Sequence, residues 1–401
     1  MKNIVKVTTL LSLSAATLLA SGYRIPEQSL DSTALSAAYV ASANGADASY
    51  YNPANMSFME NGAQIEMGMT YINLPKVSFT GTSPMAYTAD SKEEKFFMPT
   101  MHYVSPMMGD WRYGLSIVAP AGLSKRWDEA FPKSTAEEFT LKVVEINPTA
   151  SYKVNEQFAL GFGLRGVYSD GVVKSDAGVA SRDLTGDSID FGYNLAVSYK
   201  PIKDITFSAT YRSKIDLTVE GDATLVHPAI PGGYVGGASV TIPLPASLVL
   251  AAAYTMDKTT VEFVFERTYW ASYKDLDFNY DRPLNGFDTP VLKNWKDANA
   301  YRIGVTHQYS DVLKLMAGFA IDKSPAPNAT LGFELPDSDA KLYSVGFEYK
   351  VSEKMKIGLA YLYDDKENRT VNNYVAGGAA PTGTFTDSAA HLVTASLKYK
   401  F

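Results

Sequence analysis

The sequence predicts an all-β fold: a transmembrane antiparallel β-barrel of fourteen strands, its lumen plugged by an N-terminal hatch. Three observations predict it. The chain closes on HLVTASLKYKF, where Val393, Ala395, Leu397, Tyr399 and Phe401 share one face and Thr394, Ser396, Lys398 and Lys400 the other. A strand with hydrocarbon on one side and water on the other requires that contrast. Connections between strand-like stretches alternate short and long. An export leader precedes a chain that contains no helical anchor.

The leader is residues 1–20. Lys2 and Lys6 form its basic start, a short apolar run diluted by Thr and Ser follows, and small residues near Ala20 and Gly22 offer a cleavage point. No later stretch approaches the ~18 continuous apolar residues of a spanning helix. Export without a helical anchor leaves the periplasm, secretion or the outer membrane. The chain has no cysteine, which excludes a disulfide scaffold and a thiolate metal site. Its net charge is −7 and no basic run occurs, so nucleic acid is not its partner. Its 26 Tyr and 19 Phe suit strands whose two faces differ.

Strand alternation is clear in several places. In 189–199, Ile189, Phe191, Tyr193, Leu195, Val197 and Tyr199 oppose Asp190, Gly192, Asn194, Ala196 and Ser198. In 205–218, Ile205, Phe207, Ala209, Tyr211, Ile215 and Leu217 are read as one outward face. Tight turns are expected near 106–110, 154–156, 201–204, 256–258, 310–311 and 352–353. Long loops are expected at about 74–95, 124–136, 171–187, 219–237, 277–292, 323–338 and 365–384. Six turns and seven loops join fourteen strands and leave both chain ends on the short-turn, periplasmic side. Tyr152, Tyr199, Tyr254, Tyr309, Tyr349 and Tyr399 recur at that end, as an aromatic girdle at headgroup level would.

Tyr23 to Phe58 breaks the rhythm. It is rich in Ala, Ser and Asn, with Ser32 a candidate cap for a short helix toward Tyr39. Small residues suit a segment held inside a lumen. The chain therefore divides into leader 1–20, hatch 21–60 and barrel 61–401. The third strand reads WRYGLSIVAPAGLS. Pro120 cannot donate a ladder hydrogen bond, and Ala121 and Gly122 beside it let backbone or ligand approach.

The Asn52-Pro53-Ala54 motif in YYNPANMSF, PTMHYVSP at 99–106, TYRSK at 210–214, IPLPASLVL at 242–250, KDANAYRIG at 296–304 and SPAPNATLGFELPDSD at 324–339 occur in a telling order and spacing. With them, the mature chain resembles the FadL/TodX-type outer-membrane transporters of long-chain fatty acids and hydrocarbons. The resemblance implies a fourteen-stranded barrel closed by a hatch. It implies passive uptake of hydrophobic molecules, and a kinked third strand that lets substrate leave sideways into the membrane.

A fatty acid needs an apolar path with a cation for its carboxylate. Lys293, Arg165 and Arg212 are the candidate head-group cations. Lys293 lies near the family's Lys position after a short insertion. The family's Arg position falls near Lys174–Ser175, where this chain has none. Lumenal cations also pair, as Arg212 and Lys214 would with Glu262 or Glu266. Trp127, Phe131, Ile230 and Tyr234 on the outer loops offer a way in, or else pack the loops on each other. His307 and His391 fall on the lipid-facing phase and His102 suits a structural hydrogen bond, so no catalytic residue is assigned. No metal-ligand spacing or cofactor motif is present. The expected partners are the outer-membrane bilayer, a fatty acid, hydrocarbon or detergent-like ligand, and the barrel-assembly machinery through Phe401. The chain is expected to act as a monomer in the bacterial outer membrane. The alternatives are a general diffusion porin and a structural or adhesive surface barrel.

Overall fold

The computed structural model describes residues 22–82, 87–284, 286–372 and 382–401. The leader and part of the expected 365–384 loop lie outside them.

Fourteen antiparallel strands form the wall. They are β1 Gln64–Leu74, β2 Glu94–Val104, β3 Trp111–Val118 continuing as Gly122–Arg126, β4 Glu138–Lys153, β5 Phe158–Asp176, β6 Ser181–Ile202 and β7 Ile205–Arg212 continuing as Ile215–Val226. Then follow β8 Tyr234–Leu244 continuing as Ser247–Met256, β9 Thr259–Thr268, β10 Ala298–Gln308, β11 Leu313–Asp322, β12 Ala340–Lys350, β13 Met355–Lys366 and β14 Ala389–Lys400. β14 pairs with β1 from Lys400↔Gln64 to His391↔Asn73, which closes the cylinder and leaves no free edge. The Phe401 amide donates to Ala63 O at 3.0 Å.

The outer face is apolar where hydrocarbon would bathe it: Phe191 is 77% exposed and Ile189 67%. The six girdle tyrosines are all exposed at the short-turn end. Two expectations need correction. The stretches 171–187 and 219–237 are mostly strand, not loop. β5 and β6 run 19 and 22 residues, about twice the ~9–11 that cross a bilayer. They carry the wall beyond the membrane. Nor does 205–218 keep one face. Between Arg212↔Asn194 and Glu220↔Asp187, β7 holds one residue more than β6. That bulge turns Ile215, Leu217 and Val219 inward, where they are buried.

The lumen consequently has two halves. Near the long loops it is lined by buried apolar side chains such as Leu141, Leu184, Leu217 and Val240. Near the short turns it holds the hatch, and its wall mixes buried polar Asn147, Ser151, Ser198 and Thr394 with apolar Ala251, Ala253, Val264 and Ala360. Hatch helix Leu30–Ala34 is capped by Ser29, not Ser32: the Ser32 amide donates to Ser29 Oγ at 3.3 Å. The helix stops where Ser36 and Ala37 take positive φ of 49° and 60°. A second helix, Ala48–Tyr51, and a 3₁₀ turn, Pro53–Phe58, complete the hatch. Over the outer mouth, 78–81, 88–90, 369–372 and 382–386 form a four-stranded cap.

Candidate functional site

An apolar cavity of about 60 Å³ lies in the outer half of the lumen. The barrel supplies Leu141, Val173, Val219 and Val240 to its wall. The 269–297 loop, folded back by pairing 278–280 against β8, adds Tyr273, Leu276, Phe278 and Trp295. Hatch residue Tyr23 contributes from below. Its ring meets Trp270 edge-on at 4.7 Å, and its hydroxyl donates to Pro243 O at 2.5 Å. Burial pushes the Tyr23 and Tyr273 phenols above their ordinary values, so both stay neutral.

Tyr23 also belongs to a second feature. β3 is interrupted at 119–121, where it carries one residue more than β4 between Val118↔Glu145 and Gly122↔Lys142. β2 pairs with β3 only from Met101↔Ile117 to Val104↔Gly114. Among the described residues, 94–100 of β2 therefore have no ladder partner on β3. Farther out, Lys92 N donates to Arg126 O at 2.9 Å and bounds the window. The hatch occupies the break. Gly122 N donates to Tyr23 O and Ile25 N to Pro120 O, both at 2.9 Å. The Gln28 side chain exchanges two hydrogen bonds with the Ala119 backbone. Pro120, Ala121 and Gly122 are all buried there.

The other residues singled out from sequence scatter. Arg165 and Arg212 share Glu145, Arg165 at 2.9 Å, and Arg212 lies over the Tyr50 ring at 4.3 Å. Neither lines the cavity. The expected partners Glu262 and Glu266 are taken otherwise. Glu262 accepts the amides of Val40, Ala41 and Ser42 at 2.7–2.9 Å, and Glu266 pairs with Arg24 and Arg302. Lys214 pairs with Asp216. Lys293 does reach the cavity wall, buried and bonded to Glu334. Trp127, Ile230 and Tyr234 are buried rather than offered to solvent. Trp127 Nε1 donates to Phe333 O at 2.9 Å, Phe131 stacks 4.5 Å from Tyr87, and Tyr234 sits 5.6 Å from Tyr280. These aromatics pack the loops on each other.

Asn52, Pro53 and Ala54 lie far down the lumen against β4–β6. Asn52 Nδ2 donates to Val40 O, Ser198 Oγ and Ser208 Oγ. A Cβ on Gly161 would sit 2.4 Å from Ala54 N, so the motif abuts the wall. His102 bonds Ser116 Oγ and Gln28 O. Sequence reasoning missed Glu262 and Arg112 as hatch anchors. The Arg112 guanidinium donates to five carbonyls, of Ser105, Met56, Met59, Glu60 and Gly62. The carboxylates of Asp31, Asp47 and Glu66 converge within 4.8 Å, and Lys314 and Lys398 bring countercharge to them.

A closed barrel with a greasy outer chamber, a hydrogen-bonded plug and a plugged window in its wall defines an outer-membrane transport protein. The comparisons agree. The family described as outer membrane protein transport protein (OMPP1/FadL/TodX) matches residues 11–401, and the chain belongs to it. The long-chain fatty acid transport protein of Salmonella typhi is 24% identical over 78% of this chain and 80% of its own length. Outer membrane protein P1 of Haemophilus influenzae is 24% identical over 76% of this chain and 75% of its own. Among solved structures, a Pseudomonas aeruginosa FadL homologue superposes with a TM-score of 0.85 at 18% identity, covering 95% of this chain and all of that one. The P. putida toluene transporter TodX gives 0.70 at 18% identity, covering 96% and 99%. The family is one of transport channels, not enzymes.

Proposed function

We propose that the chain carries long-chain fatty acids or other hydrophobic compounds passively across the outer membrane. In this reading the hatch rearranges, and substrate leaves sideways through the window at the third strand. The observation that carries it is the double role of Tyr23. This one hatch residue lines the apolar cavity with its ring and fills the break in β3 with its carbonyl. A hatch movement that vacates Tyr23 would open the cavity toward the window in the same step. The window's inner face carries an apolar cluster, Ile25, Phe96 and Met98, between the Gln28 amide and the Glu94–Arg126 pair. Substrate would therefore stay out of water along the route, which suits a molecule that gains little by entering the periplasm. The named relatives add support: one is a fatty acid transport protein and one a toluene transporter. The hatch motif Asn52–Ala54, anchored to the wall, serves as the fixed end of the plug. The barrel closes on itself, so a single chain suffices, with Phe401 presented for assembly.

The test is uptake of a labelled hydrophobic compound by cells carrying Gly122→Leu, with assembly of the barrel verified by resistance to cold detergent. The expected result is loss of most uptake with a normal barrel. Full uptake by the assembled variant contradicts lateral exit. High stable conductance of the wild-type protein in planar bilayers would favour the porin alternative.

A further inference from the structure

We propose that the cavity selects uncharged hydrophobic molecules over carboxylates, and that Glu334 is the residue that sets this preference. The inference rests on the transport reading above and names its substrate class. Two charged side chains line the cavity, Lys293 and Glu334; Asp222, the third charged residue along its wall, is exposed on the outward phase of β7. Their sum is not positive. Lys293 is the one cation among them, and its ammonium is already bonded to Glu334 Oε1. Lys293 is buried and Glu334 half-buried, with side-chain exposures of 5% and 17%. Its position is fixed from several directions. Lys293 N donates to Lys274 O at 2.8 Å, and Thr330 Oγ1 donates to Lys293 O.

None of the neighbouring cations is on the cavity wall. Arg126 pairs with Glu94 and Lys174 with Asp183, while Arg182 lies behind the wall, over Phe278 at 4.3 Å and bonded to Phe287 O at 3.2 Å. Lys125 is buried off the cavity wall with Ser91 Oγ at 3.3 Å. The Tyr23 hydroxyl, a possible donor to a carboxylate, is spent on Pro243 O.

A carboxylate entering this chamber would therefore arrive as an added negative charge. Lys293 could meet it only by releasing Glu334, which would then be the unpaired buried anion, or by sharing one ammonium between two anions. Either outcome leaves one buried charge without compensation, the costliest arrangement in a low-dielectric site. An uncharged ligand of the same length brings no charge to be compensated. It covers apolar wall and leaves the Lys293–Glu334 pair intact. The aromatic rings of Tyr23, Tyr273, Phe278 and Trp295 suit such a ligand, alkyl or aromatic.

The experiment compares methyl dodecanoate with dodecanoate, equal in chain and different in charge, by calorimetric titration of the whole protein in lipid nanodiscs at pH 8. The wild-type protein is expected to bind the ester on the order of tenfold or more tightly than the anion. Glu334→Gln frees the Lys293 ammonium and should raise dodecanoate affinity by about tenfold while moving ester affinity less than about twofold. Dodecanoate binding as tightly as the ester to the wild type would overturn the proposal without any variant, and leave the transport reading standing. So would an assembled Glu334→Gln protein whose dodecanoate affinity is unchanged. Failure of both ligands to bind the wild type would instead sink the transport reading, and this inference with it.

Discussion

The two halves of the lumen are built from the same strands and do opposite work. In the outer half, inward positions are Leu141, Val173, Leu184, Val219 and Val240, and they enclose a cavity. In the periplasmic half, inward positions are Ser151, Ser198, Ser208, Glu262 and Thr394, and each bonds a hatch residue or its neighbour. The difference separates holding a ligand from holding a plug. Apolar walls bind without direction, so a ligand can slide. Hydrogen bonds bind with direction, so the plug has one resting place. The plug is not held by polar contacts alone: Leu30, Leu35, Val40 and Met56 share one buried apolar cluster with Val104, Val264 and Met316 of the wall.

The contrast can be broken most severely at Arg112. Arg112→Ala removes the side-chain donor from five carbonyls, of which Met56 O keeps the Met59 amide, and we expect a loss of about 3–5 kcal/mol in denaturant unfolding. Residues 56–62 at the end of the hatch and the start of the barrel should become protease-sensitive while the apolar cavity still binds ligand. Next is Gly318→Ala. A Cβ there would sit 2.1 Å from the Leu35 carbonyl carbon, so the hatch must shift. The expected cost is about 1–3 kcal/mol, with raised bilayer conductance as the readout. Unchanged conductance would mean the strand, not the plug, gives way.

Glu262→Gln acts more gently. The amide keeps one oxygen for the Val40–Ser42 amides but loses the charge that strengthens those bonds. Faster amide exchange at 40–42 and a loss of about 1–2 kcal/mol are expected. The smallest effect belongs to Glu60→Gln, outside both halves. Lys400 holds the Glu60 carboxyl below its usual range, chiefly through a hydrogen bond. A depressed carboxyl stabilises above its unfolded pKa and loses that contribution as pH falls through the folded value. The exposed pair should matter by less than about 1 kcal/mol at pH 7, and the difference between variant and wild type should vanish in acid.

The wall was legible in the sequence because lipid imposes contrast. β6 from 189 to 199 and the closing strand β14 alternate just where one face meets hydrocarbon. Where strands rise past the bilayer, that contrast disappears. Ile215 and Leu217 were assigned outward because nothing local marks the bulge that turns β7 over. The stretches 171–187 and 219–237 read as loops because Gly and Asp interrupt them, although their inward row includes Val173, Leu184 and Val219 and walls the cavity. Lys293 was picked out, but its partner lies 41 residues on, across a loop whose fold no spacing reveals. Arg165 and Arg212 share Glu145 for the same reason: partners across a barrel depend on register and tilt. Loop position alone leaves Trp127, Ile230 and Tyr234 either an access surface or loop packing, and tertiary packing of the loops buries all three.

The central claim is that the plug must move for substrate to pass. Ser36 Oγ and Ser344 Oγ lie 2.8 Å apart, one on the hatch and one on β12, in a chain without cysteine. Ser36→Cys with Ser344→Cys should therefore form a single disulfide that pins the hatch to the wall. Uptake of a labelled hydrophobic compound, measured in cells before and after a membrane-permeant reductant, is the decisive readout. The account predicts near-abolished uptake when oxidised and wild-type uptake once reduced. Equal uptake in both states, with the cross-link verified by mass spectrometry, would contradict it.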